Sequence, residues 1–200
     1  MTEQHHSPRG RKLTLRARAE RQQQTRQRII DATVQLHQEI GPLRTTVTAI
    51  AQRAGVERLT VYRHFADEQA LHVACQQRFF SVNPPPDPAA WTALQEFGPR
   101  VRTALRELYA YWEGIEEMAG ALLRDHQIEP ERAGRGIVAF TGRCREAILD
   151  RNGGRGTQAL LRKAVVGHAV QFSTWRSLVR EGGLTNEQAA AVMTEMVTTR

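Results

Sequence analysis

Between Thr46 and Phe65 two short apolar periodicities meet at a glycine, and that junction limits what the chain can fold into more than any other feature. Val47, Ile50, Ala51 and Ala54 fall at helical spacing on one face. Gly55 stands where a left-handed turn residue is wanted, and Val56 and Val61 restart an apolar face. Ala51 must be small because the second helix crosses it closely, and Val61 plugs the gap between the two, which is the arithmetic of a helix-turn-helix. The same register leaves Glu57, Arg58, Thr60, Tyr62, Arg63 and His64 facing outward. So many hydrogen-bonding side chains on one short face are what a helix lying in a DNA major groove requires.

Charge points the same way. Residues 1–65 hold twelve Lys or Arg and five Asp or Glu, a net of +7, while residues 66–200 hold sixteen of each. The whole excess therefore belongs to the helix-turn-helix end. Basic side chains release counterions from phosphates and give affinity regardless of sequence, so a polyanion is the natural partner there. From Met1 to about Glu20 the chain has no apolar periodicity and carries Arg9, Arg11, Lys12, Arg16 and Arg18. It reads as a basic disordered arm, residues 1–21, able to follow the backbone or enter the minor groove.

The run Thr45 to Leu71, TTVTAIAQRAGVERLTVYRHFADEQAL, resembles the DNA-binding region of the TetR/AcrR family of bacterial transcriptional repressors. Thr46, the Ile50–Ala51 pair, Ala54 with Gly55 and Val56, and above all Thr60 to Phe65 stand in the family's order and spacing. Two positions depart from it. Glu57 replaces a small N-capping residue, which bears on base choice, and Glu68 replaces a usual Lys, which removes one phosphate contact. Outside this run the resemblance rests on helix pattern. It implies an all-α fold of about nine or ten helices: an N-terminal three-helix DNA-binding domain with its connecting helix, residues 22–83, and a C-terminal helical ligand-binding and dimerisation domain, residues 84–200. It also implies a small-molecule effector and a homodimer formed by the last two helices.

The helix pattern beyond the motif is consistent with that plan. A first helix spans about Gln22 to Ile40, with Ile29, Thr33, Leu36 and Ile40 on a stripe and Gly41–Pro42 at its end. A fourth starts after Asp67 as N-cap. Four prolines between Asn83 and Pro88 mark a boundary. Asp87–Pro88 has an N-cap and first-turn signature, and Gly98–Pro99 resets the chain before Val101, Leu105, Leu108, Tyr109 and Trp112. Shorter helices follow, carrying Ile115, Met118 and Leu122, then Ile137, Phe140, Cys144 and Ile148. The last two are expected over 157–181 and 185–197, the second announced by a Thr185/Gln188 capping box. Leu161, Ala164, Val165, His168, Phe172, Trp175 and Val179 on one, with Ala189, Val192, Met193, Met196 and Val197 on the other, make faces wider than one packing partner needs. A reader of two half-sites about 34 Å apart needs such a two-fold dimer.

The expected DNA contacts are Thr46 and Tyr62 at phosphates, with Arg58, Thr60, Arg63 and His64 nearer the bases or flanking backbone. Arg58 is suited to a bidentate guanine contact. An effector pocket would draw on Tyr109, Trp112, Arg124, His126, His168, Phe172 and Trp175, an apolar lining with few polar groups, although each aromatic singly is also what a core would use. No cofactor or metal is expected, since Cys75 and Cys144 lie far apart without ligand spacing and read as buried thiols. No nucleophile–base arrangement converges, and the adjacent Glu116 and Glu117 point about 100° apart on a helix, so no enzyme is expected. No apolar run approaches a membrane span and no leader core is visible, which gives a cytoplasmic expectation. The alternatives are an architectural DNA-binding protein without ligand response, or a helical protein-interaction module.

Overall fold

A computed structural model describes residues 8–131, 133–152 and 156–199; they are helical with turns, and no strand occurs among them. The chain divides into two compact units, Met1–Ile40 with Arg44–Ser81, and Gly41–Leu43 with Val82–Arg200.

The first unit is built from α1 (Pro8–Ile40), α2 (Val47–Ala54), α3 (Arg58–His64) and α4 (Glu68–Val82). Its core is the apolar set the periodicity selects: Ile29, Ile30 and Leu36 of α1, Val47, Ile50, Ala51 and Ala54 of α2, Val61 and Phe65, and Leu71 and Ala74 of α4. Asp67 caps α4, its Oδ1 accepting the Ala70 N–H at 2.7 Å. Asp31 ties α1 to α4 by accepting from Arg78 Nε at 2.9 Å.

One expectation is corrected here. α1 starts at Pro8 rather than near Gln22, so the arm read as disordered is helical over 8–20, and residues 1–7 lie outside the described ones. An apolar stripe is needed to pack a helix but not to extend one already nucleated. Ala, Leu, Arg and Glu are strong helix formers, and Arg16 Nε pairs with Glu20 Oε1 one turn on at 3.1 Å.

The second unit contains α5 (Pro88–Trp91), α6 (Phe97–Gly114), α7 (Glu116–Ile128), α8 (Arg135–Leu149), α9 (Thr157–Ala169), α10 (Phe172–Arg176), a π-helical turn over Ser177–Glu181, and α11 (Asn186–Thr198). α6 runs through its middle. Val101, Ala104, Leu105, Leu108, Tyr109 and Trp112 are all buried, so the helix is covered well beyond one stripe. Gly98–Pro99 does not precede this helix but lies in its first turn, where proline's missing N–H costs nothing. The Asp87 cap and the Thr185/Gln188 capping box form as the pattern predicts.

The long helix expected over 157–181 is broken. After Ala169 the chain turns at Val170–Gln171 and restarts at Phe172. Val165, Val166, Gly167 and Val170 are poor helix formers, and at the break the His168 carbonyl accepts the Gln171 N–H at 3.1 Å and the Thr174 hydroxyl at 2.6 Å. The break lets Phe172, Trp175 and Val179 reach the interior. Asp125 is also buried, its Oδ2 accepting the Leu43 N–H at 2.8 Å within this unit. Cys75 and Cys144 are buried free thiols, both pushed up to about 12 by burial.

Candidate nucleic-acid interface

The geometry of the helix-turn-helix follows from three local devices. Thr46 caps α2, its side-chain oxygen accepting the Ala49 N–H at 3.2 Å. Gly55 adopts φ 64° and ψ 44°, and the paired bonds Gly55 N–H to Gln52 O and Val56 N–H to Ala51 O close the helix end. The chain then enters α3 through Glu57, whose side chain makes no capping bond. Val61 and Phe65 anchor the inner side of α3 at 2% and 3% exposure, and the Arg26 guanidinium sits 4.7 Å from the Phe65 ring centroid.

With that side fixed, the other is determined. Arg58, Tyr62 and Arg63 are exposed, Thr60 and His64 are half-buried, and Thr46 is exposed at the start of α2. The structure thus gathers five of the six predicted DNA-contacting residues on one seven-residue helix, with the sixth at the foot of the preceding one. Arg58 lies with its guanidinium 6.0 Å from the Tyr62 ring, at the outer limit of a cation–π contact, which biases both side chains toward the same patch.

Two features of this region are invisible to motif reading. Arg53 is not a spare cation: its Nη1 and Nη2 donate to Glu39 Oε1 and Oε2 at 2.7 and 2.8 Å, a bidentate pair that joins α2 to α1. Leu59, absent from the predicted contacts, is 58% exposed on α3. The signal that could have exposed it is the helical wheel: counted from buried Val61 at about 100° per residue, Leu59 falls about 160° away, on the outer side.

Residues 29–75, which hold all of α2 and α3, match the family model described as bacterial regulatory proteins, tetR family. They are a TetR-family DNA-binding domain. A solved structure similar in fold is that of a TetR-like transcriptional regulator from Rhodococcus sp. RHA1, at TM-score 0.54 and 18% identity, over 86% of this chain and 93% of that one. Comparison with curated proteins gives no match. At that identity the likeness speaks for the TetR-like fold across the chain, and the family model for the reading domain.

In the TetR-like second unit the predicted effector residues separate into two groups. Trp112, Phe172 and Trp175 form one ring chain, with centroids 5.8 Å apart for the first pair and 5.3 Å for the second, and Phe140 and Tyr111 stand against Trp112 at 6.0 and 5.5 Å. Tyr109 is buried beside them in sequence, its hydroxyl donating to Ala169 O at 2.9 Å, and Trp175 Nε1 donates to Asn186 Oδ1 at 2.9 Å. The Trp112 indole N–H is buried without a hydrogen-bond partner among the described residues. By contrast Arg124 and His168 are exposed, and His126 is half-buried with its Nδ1 2.8 Å from the Ala133 carbonyl. His168, expected on an apolar inward face, is placed outside because the helix ends one residue later and its inner face is Val166 and Ala169.

Proposed function

We propose that this chain is a ligand-responsive repressor that binds a roughly palindromic operator as a homodimer. The observation that carries the reading is the outer side of α3: a polar and basic patch on a helix whose opposite side is locked, within residues 1–65, which hold the entire positive excess. An architectural protein that coats DNA needs the charge but has no use for a pre-set row of Arg58, Tyr62 and Arg63.

Apolar exposure in the second unit supports a two-fold mate. Leu160 and Leu161 on α9 are 68% and 43% exposed, and Val192 and Met196, one turn apart on α11, are 42% and 52% exposed. A second copy covering these positions with the same positions of its own helices satisfies an isologous contact. Support for an effector comes from the aromatic cluster and from the orphaned Trp112 N–H, a donor that a small molecule with an apolar body and one acceptor would satisfy.

Selection of bound duplexes from a random pool, repeated with small molecules present, tests the reading directly. Enrichment of an inverted repeat is expected, and a flat pool would overturn it. Two substitutions then divide the contacts. Arg58→Ala is expected to relax preference at one position of each half-site, at about 1 to 3 kcal/mol, whereas equal loss on every sequence would reassign it to the backbone. Tyr62→Phe is expected to weaken all duplexes evenly through loss of a phosphate contact; a base-dependent effect on titrating variant duplexes would contradict that role.

A further inference from the structure

We propose that Leu59 reads the 5-methyl group of a thymine in the major groove, so that each half-site contains an A·T pair fixed by an apolar contact; this rests on the regulator reading above. Leu59 is more exposed than Tyr62, at 58% against 43%, although leucine is the residue with the greater reason to be inside. On the wheel of α3 it lies beside Arg63 on the side opposite Val61, with Tyr62 and Thr60 flanking, and so occupies the middle of the face that approaches the bases.

The chemistry of the groove then selects the partner. Base edges in the major groove present donors and acceptors at every pair, and thymine alone adds an apolar methyl. Leucine pressed on a polar edge would strip it of water and return no hydrogen bond, a loss that grows as neighbouring Arg and Thr side chains exclude solvent. Leucine pressed on a methyl buries two apolar surfaces together. The same residue therefore favours one base pair and penalises the others.

The test uses the full-length protein and the duplex enriched from the random pool, in which thymines are replaced one at a time by uracil, removing only the methyl. Wild type is expected to lose about fourfold in affinity at one thymine of each half-site, the worth of roughly one buried methyl group, and to be indifferent to the others. Leu59→Ala is expected to bind the parent duplex more weakly and to show no difference between thymine and uracil at that position, while keeping preference elsewhere. Wild-type affinity unchanged by every uracil overturns the assignment with the regulator reading intact. Equal uracil sensitivity in Leu59→Ala does the same, as does a variant whose only change is a lower solution mass, which would place Leu59 against a second copy. Failure to enrich any duplex overturns the regulator reading and this assignment together.

Discussion

Arg100→Met is expected to cost the second unit about 3 to 5 kcal/mol. Arg100 is completely buried, and its guanidinium is held by neutral oxygens. Nε donates to Leu94 O at 2.8 Å and Nη2 to Gln95 O at 3.1 Å, fastening the turn before α6. Nη1 reaches Ile148 O and Asn152 Oδ1, each at 3.3 Å, and the Asp150 carbonyl. The last group lies at the end of α8, where carbonyls lack helical partners and the helix dipole is negative, so a cation there replaces both a cap and a counter-charge. Methionine fills similar space but leaves these buried acceptors unpaired. All three tryptophans, Trp91, Trp112 and Trp175, belong to this unit, so the urea midpoint read by their fluorescence isolates the effect. Arg100→Lys should recover part of the loss, because one ammonium cannot span both groups of oxygens. An unchanged midpoint in Arg100→Met would show that the guanidinium is dispensable to the packing.

The second large effect is acid sensitivity confined to the DNA-binding unit. His37 on α1 is 8% exposed, with its Nδ1 3.5 Å from Cys75 Sγ and its ring 6.1 Å from that of His72. Burial, and then the neighbouring His72, lower its pKa from 6.5 to about 4, and burial lowers His72 as well. The native state thus prefers neutral His37, while the unfolded chain takes up a proton at 6.5. Stability is complete above pH 6.5, falls as pH drops toward 4, and is lost there by about 3 kcal/mol from this group alone. Glu39, lowered by its hydrogen bond from Arg53, acts in the same direction but only below its ordinary value of 4.5. Thermal melts by circular dichroism between pH 7 and 4.5 should show a transition that moves down while the tryptophan signal stays in place. His37→Leu is expected to flatten that dependence, and a variant as acid-sensitive as wild type would locate the titrating group elsewhere.

These two residues show where sequence reading stops. The turn at Gly55, the caps at Asp67 and Asp87, and the Thr185 capping box were legible because each involves partners within four positions, and local geometry decides them. Nothing in the sequence singles out Arg100. Its α8 partners lie 48 to 52 positions away, and no spacing rule connects them. The helix expected over 157–181 failed for a related reason: its apolar spacing is helical throughout, yet burying both Val166 and Trp175 takes a change of direction that periodicity cannot register. His168 went outside with that change. The N-terminal arm erred the opposite way, since the absence of an apolar stripe was read as the absence of a helix.

By itself the sequence determined that the chain is helical, that its first third carries a DNA-reading motif, and which side of α3 is inner, because short-range sterics, capping and apolar spacing act within a few residues. Tertiary structure alone decided that Arg53 is occupied by Glu39, and that Tyr109, Trp112, Phe172 and Trp175 are interior while Arg124 and His168 are not. Pairing and burial depend on which distant segments come together, and that information is carried by the packed chain rather than by any window along it.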